Sequence, residues 1–317
     1  MTRALVLSSG LTWAAYQIGA LRHLIGERQL RFDLCAGTGM GAIHAACVAC
    51  GEFEALREFW QHIGWRRLVA LNWRAPWRDG PLSTKPLKAF LAAHLSESKL
   101  AAAGSQLQLT CLNLQTGREE VVTYPGSAVP LIDALAAAIS LPGLMAPLRV
   151  RDQQWLDASF VNSFGLREIL RECAADEVWA IATSAAEPIV TQAPRRRYPH
   201  WRAVADRALR LNQAHDVWRG MRAANQLSAA AAAQRHVRSQ LPDRVAGLIE
   251  DPLVRERVRD RLNRLFEQST FSLNRDRGPI VHAVTPSRPL TGSLWRFRRQ
   301  EIEAALELGY QDAKDSA

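Results

Sequence analysis

Short apolar runs alternate with stretches of helical spacing along the first 190 residues. "ALVLS" (4–8) has the length and composition of a buried strand. "AAYQIGALRHLIGE" (14–27) behind it repeats its apolar positions at helical intervals. "FDLCA" (32–36) predicts a second strand, leading through glycines into the helix "AIHAACVACG" and then a helix over 52–63. This strand–turn–helix order predicts an α/β fold with a mostly parallel sheet between helices. Residues 64–83 carry Trp65, Trp73 and Trp77 among arginines and prolines and read as a loop with surface exposure. A helix over 86–95 follows, then a strand pair over 107–124 that turns near Thr116 and Gly117. Next come an alanine-rich helix over 131–139, two extended segments flanking a turn at 151–152, a helix over 165–173 and a strand over 177–183.

The pattern changes near residue 190. Long helical periodicity runs through most of 195–270, before a strand over 279–287 and a closing helix. The expected organisation is one domain, 1–317, with a basic helical arm at 195–270 inside it. Charge sharpens that boundary: the chain carries a formal +9, and residues 195–244 hold eleven arginines against three acidic residues. Such an excess suits anionic lipid or nucleic acid, and charge alone does not choose. The helices lack a recognisable nucleic-acid-reading pattern, so nucleic acid is not expected. An acyl lipid or membrane surface, or a protein partner, is open, as is the oligomeric state. Arg195, Arg196 and Arg197 beside Tyr198 and Trp201 have the composition of a membrane-surface segment, and an ordinary solvated helix face is the alternative.

The five cysteines (Cys35, Cys47, Cys50, Cys111, Cys173) lie in mostly apolar surroundings without metal-binding spacing. They predict reduced, buried thiols, no metal and no cofactor. The apolar run at the N-terminus is too short for a signal peptide or a membrane span. A cytoplasmic protein is expected, with a peripheral place at the inner membrane open.

The candidate chemistry sits at "LCAGTGMGAIHAA" (34–46). A strand, a sharp glycine turn and a helix are the parts of a nucleophile elbow, which presents one side chain at a helix N-terminus. The central position here is Gly39, which has no atom that attacks a carbonyl. The segment resembles the elbow of bacterial patatin-like phospholipases, Gly-Thr-Ser-x-Gly-Ala-Leu-Asn. Gly37, Thr38, Gly41 and Ala42 match, Gly39 stands at the serine, Ile43 at the leucine and His44 at the asparagine.

"LSSGLTWAAYQIGAL" resembles the same family's glycine-rich oxyanion loop. It keeps Gly10, Ala15, Tyr16, Gln17, Gly19 and Leu21, while Ser9 and Leu11 replace glycines, Trp13 an arginine and Ala14 another glycine. In "AAISLPGLMAPLRVRDQQWLDASFVNSFGL", Ser140, Pro142, Gly143, Pro147 and Asn162 fit the family's third segment. Asp157 falls on its dyad aspartate, with Ala158 and Ser159 behind it. The resemblance implies a three-layer α/β/α fold and, in the family, lipid acyl hydrolysis by a Ser–Asp dyad.

Carried over residue by residue, Asp157 is the candidate catalytic carboxylate, or else a cap or brace for nearby backbone amides, and Gly39 the vacant nucleophile position. Gly10, Leu11 and Thr12 are what is left of the oxyanion loop, and Trp13, Met40, Leu141 and Pro142 the expected ligand-contacting residues. His44 is a candidate base for water, or else a hydrogen-bonding brace or a simple packing residue. Thr38 and Cys35, near the elbow in sequence, and Ser8 and Ser9, expected at the rim of the same crevice, are the groups that could replace a missing serine. The expected function is an acyl-lipid binder or regulatory scaffold without dyad hydrolysis. The alternative is an active lipid acyl hydrolase with a relocated nucleophile or activated water, or an active enzyme altered at residue 39. An isolated Ser-to-Gly replacement accounts for residue 39 alone, whereas the loop glycines, the arginine and the glycine after the aspartate differ too.

Overall fold

The apolar runs near the N-terminus become neighbouring strands. The computed structural model describes residues 1–74, 76–172, 175–185, 198, 200–268, 279–293 and 296–316. Its strands are β1 (Arg3–Leu7), β2 (Leu34–Thr38), β3 (Ala70–Leu71), β4 (Leu82–Ser83), β5 (Gln106–Asn113), β6 (Glu119–Tyr124), β7 (Leu148–Val150), β8 (Gln153–Asp157), β9 (Glu177–Ile181) and β10 (Ile280–Val284). Its helices are α1 (Ala15–Leu21), α2 (Met40–Ala49), α3 (Phe53–Gln61), α4 (Trp65–Leu68), α5 (Pro76–Asp79), α6 (Lys85–His94), α7 (Glu97–Ala103), α8 (Leu131–Ala138), α9 (Leu166–Glu172), α10 (Trp201–Gly247), α11 (Pro252–Gln268) and α12 (Arg299–Asp315).

Eight strands form one sheet in the order β10-β9-β1-β2-β5-β8-β7, with β6 also on β5; β3 and β4 make a separate hairpin. The β9-β1-β2-β5 centre is parallel. β2 is buried at every position, as a parallel strand covered on both faces must be. β5, by contrast, alternates buried and partly exposed residues.

The register of β5 positions the site. Thr38, the last residue of β2, faces Thr110, and Asp157, the last of β8, faces Cys111. β6 takes the other edge of β5 over Leu107–Leu112. β2 and β8 therefore lie end to end along one edge, and their last residues meet at adjacent positions.

α1 and α12 cross closely. A Cβ on Gly19 would lie 1.8 Å from the Leu306 carbonyl oxygen, and one on Gly309 would lie 1.9 Å from that of Tyr16. Each helix thus requires a glycine where the other passes. The Tyr16 hydroxyl donates to Asp312 at 2.9 Å beside that crossing.

The described chain divides into two compact units: Met1–Met221 with Val281–Ala317, and Arg222–Ile280. The arm expected from 195 thus contributes the start of α10, through Met221, to the first unit; residues 195–197, 199 and 269–270 of that arm lie outside the described residues. In the second unit Arg259 pairs with Asp243 at 2.9 Å, and the Asp251 carboxylate accepts the Leu253 amide at the start of α11.

Local differences have local causes. The helix expected over 14–27 opens as a 3-10 turn (Leu11–Ala14) and closes as a π turn (Arg22–Glu27) around α1. β2 starts two residues later than "FDLCA", because the Asp33 carboxylate is engaged with the Arg3 amide at 2.7 Å. α7 has no counterpart among the expected elements.

Candidate active site

β2 ends and α2 begins around Gly39, whose φ of 58° and ψ of −130° are a conformation that side chains other than glycine's adopt only under strain. The surrounding glycines let the backbones close in. A Cβ on Gly41 would sit 2.4 Å from the Leu7 and Ser8 carbonyl oxygens, and one on Gly37 would sit 2.3 Å from the Gly41 oxygen. The elbow has thus kept its shape at the mouth of the β1–β2 pair.

The direction of the missing side chain is informative. A Cβ built on Gly39 lies 3.5 Å from Asp157 Oδ1, so the elbow position faces the carboxyl that the sequence singles out. The same Cβ lies 2.6 Å from Ser9 Oγ and 3.1 Å from Ser9 Cβ. The hydroxyl of Ser9 fills the space in which an elbow side chain would stand.

Asp157 is 3% exposed. Burial pushes its carboxyl up to about 7 from 3.8, partly opposed by the Ser159 amide, which donates to Oδ1 at 2.8 Å. Asp157 also caps the short turn Ala158–Phe160. Its own amide donates to the Ser140 carbonyl at 3.1 Å, which ties "SLPG" to the carboxyl. Asn162 completes the turn by accepting the Phe164 and Gly165 amides.

The loop after β1 is held from several directions. The Ser9 amide donates to the Ser163 carbonyl at 2.7 Å. The Ser9 carbonyl accepts from Thr183 Oγ1 at 2.6 Å and from Ser8 Oγ at 3.0 Å. Leu11 then adopts a φ of 45°, a left-handed conformation at a position where the resemblance has glycine; this costs a leucine about 1 kcal/mol. The 3-10 turn that follows leaves the Leu11 and Thr12 amides without intrahelical acceptors. Met40 and Gly41 at the start of α2 are in the same position.

Trp13 is buried, its indole N–H donating to the Thr291 carbonyl at 3.2 Å. The Arg210 guanidinium lies 4.0 Å from the Trp13 ring centre. α10 thus places an arginine over the residue that stands where the resemblance has one. Met40 and Leu141 are each 4% exposed, whereas Pro142 is exposed.

His44 lies in a closed network. The Trp60 indole N–H donates to Nε2 at 2.9 Å, so the ring proton is on Nδ1 and donates to Gln17 Oε1 at 2.7 Å. The Gln17 amide then donates to the Ser8 carbonyl at 2.7 Å. With both nitrogens engaged and the ring fully buried, His44 has neither a lone pair nor a proton to offer a water; burial lowers its pKa to about 3. Its place is a brace from α3 through α2 to the oxyanion loop, not a base beside Asp157.

The other substitutes also point elsewhere. Thr38 Oγ1 is buried on the side of Gly165 and Thr110. Cys35 is fully buried, and burial raises its thiol pKa far above the ordinary value. Arg210, Thr183 and Ser163 have no motif signal and enter the site only through the fold. A groove of about 830 Å³ runs between β6 and the β7–β8 hairpin, lined in part by Val121, Arg149 and Trp155, and none of the candidate residues borders it.

An elbow at a helix N-terminus, leading amides on the facing loop and a buried carboxyl opposite together define the framework of a Ser–Asp acyl hydrolase. The family model described as patatin-like phospholipase matches residues 5–170, which contain all three parts. The chain belongs to the patatin-like phospholipase family. Among solved structures it is similar to VipD from Legionella pneumophila, at 10% identity and a TM-score of 0.44, over 99% of this chain and 66% of that one. Among the described residues no group of acidic, histidine and cysteine side chains is arranged to hold a metal ion, and no helix is long and apolar enough to cross a membrane.

Proposed function

We propose that this protein binds acyl-lipid groups between the Ser8–Trp13 loop and the elbow, and that no acyl adduct forms at residue 39. The observation carrying this reading is the Gly39 Cβ direction: the position faces Asp157, yet glycine supplies no attacking atom. The amide-lined loop, the helix N-terminus and the apolar Met40 and Leu141 beside them suit an acyl carbonyl and its chain.

A lipid surface is the source of ligand that this reading favours. Leu71, Trp73 and Trp77 are 57%, 81% and 99% exposed. They lie in and beside the β3–β4 hairpin, whose Leu82 amide donates to the Leu144 carbonyl at 2.9 Å. The hairpin is thus joined to the apolar segment that also orders Asp157. Arg66, Arg67 and Arg74 lie in the same stretch and suit anionic headgroups. This supports a peripheral position on a membrane.

Native mass spectrometry of the purified full chain, with titrations of palmitate and lysophosphatidylcholine, tests the reading. One acyl ligand per chain and saturable binding are expected. Absence of saturable binding for both would overturn it.

A further inference from the structure

Positions 9 and 39 cannot both carry an unshifted side chain. A Cβ on residue 39 would stand 2.6 Å from Ser9 Oγ, closer than non-bonded heavy atoms settle. The resemblance has glycine at the first position and serine at the second. This chain has the reverse, so one hydroxyl occupies the space in either arrangement. Ser9 Oγ and Asp157 Oδ1 both lie within 3.5 Å of the point where the elbow side chain would begin. Among the described residues, no hydrogen bond holds the Ser9 hydroxyl, whereas the Ser9 amide and carbonyl are both anchored. Ser9 Oγ and Asp157 are not hydrogen-bonded to each other, and the anchored backbone leaves the Ser9 side chain free to turn toward the carboxyl that would serve as its base.

We propose that the nucleophile has been transposed, so that Ser9 on the oxyanion loop, with Asp157 as its base, attacks acyl esters in place of an elbow serine. The inference rests on the acyl-binding reading and names the group that acts there. In the step, Ser9 Oγ forms a bond to the ester carbonyl carbon while its proton passes to the Asp157 carboxylate. The tetrahedral oxyanion collapses, the C–O bond to the alcohol breaks, and the leaving oxygen takes the proton back from Asp157. Water then attacks acyl-Ser9 by the same proton route, releasing a carboxylic acid and restoring the hydroxyl.

Three neighbouring hydroxyls are committed elsewhere. Ser8 Oγ donates to the Ser9 carbonyl and accepts the Thr183 amide at 3.0 Å, Thr183 Oγ1 donates to the Ser9 carbonyl, and Thr12 Oγ1 donates to the Ser293 carbonyl at 3.0 Å. Ser163 Oγ and Thr38 Oγ1 are buried without a partner as well; Ser9 is set apart by facing the Gly39 position, which also faces Asp157.

The test is covalent labelling of the full chain with a long-chain alkyl fluorophosphonate, followed by digestion and mass-spectrometric location of the adduct. The expected adduct is on Ser9, absent in Ser9→Ala and formed about 100-fold more slowly in Asp157→Asn, the scale of a lost general base. A Ser9→Gly/Gly39→Ser double variant restores the family's arrangement and is expected to carry the label at position 39. Thermal melts confirm that each variant is folded. A folded, unlabelled native chain beside a labelled double variant would show that Ser9 merely fills space. No label in either, or a label elsewhere with Ser9 unmodified, would overturn the proposal equally. Ligand titration separates the two readings: saturable acyl binding without a Ser9 adduct overturns transposition alone, while loss of binding overturns both.

Discussion

Beside Ser9, three residues shape this site, and Leu11 and Asp157 depart from what their types usually prefer. Gly39 holds an elbow conformation without presenting anything on it, Leu11 accepts a left-handed backbone, and Asp157 is buried with a carboxyl pKa near 7. The last has a thermodynamic consequence whose sign follows from linkage. The folded state binds the Asp157 proton more tightly than the unfolded chain does, so stability is highest at low pH as far as this group is concerned. It falls as pH rises from about 4 to about 7 and levels off above. Asp157→Asn keeps an oxygen for the Ser159 amide and removes the titration. The variant is expected to match the native chain near pH 4 and to exceed it at pH 8, by about 4 kcal/mol at most. Urea melts at the two pH values measure this. A variant less stable than the native chain at pH 8 would show that burial is not what holds the carboxyl up.

The site is assembled by elements that reach one point from distant parts of the chain. β1 delivers Ser9, β2 delivers Gly39, β8 delivers Asp157, and the order of strands along β5 makes the last two adjacent. Motif reading reached the elbow, the loop and Asp157 because each is local: a strand, a glycine turn and a helix within a dozen residues. The close approach of positions 9 and 39 was beyond it, since that depends on the register of β1 against β2 and the direction of a Cβ that glycine lacks. α7 carries local signals in the sequence. Ser96 caps it by accepting the Lys99 amide at 3.2 Å, and Gly104 ends it at a φ of 72°, two signals plainly present in "SESKLAAAG". His44 shows the opposite limit, for sequence spacing brought it near Asp157 whereas Trp60 on α3 and Gln17 on α1 claim both its nitrogens. His44→Ala leaves the buried Trp60 donor and Gln17 acceptor unpaired and is expected to lower stability by about 2–5 kcal/mol. A denaturation midpoint within a few tenths of a kcal/mol of the native value would remove the network's bracing role.

At the scale of the whole molecule, the question is which surface meets lipid. Charge pointed to the arm, where eleven arginines fall within residues 195–244. Exposed aromatic side chains point to the hairpin region instead, because an arginine in water needs no partner whereas Trp73 and Trp77, at 81% and 99% exposure, leave large apolar faces uncovered. Indole rings favour the headgroup level of a bilayer, and the arginines flanking these two add attraction to anionic lipid. Co-sedimentation of the full chain with phosphatidylserine-containing vesicles is therefore expected, weakening as salt rises. Trp73→Ala/Trp77→Ala is expected to lower the vesicle affinity at least tenfold, about 1.4 kcal/mol, while Arg235→Gln/Arg238→Gln in the arm lowers it less than threefold. Phosphatidylcholine vesicles separate the two contributions, since the aromatic one persists on them and the electrostatic one does not. Native-like binding by the tryptophan variant, together with its loss in the arm variant, would move the membrane-facing role from the hairpin region to the arm.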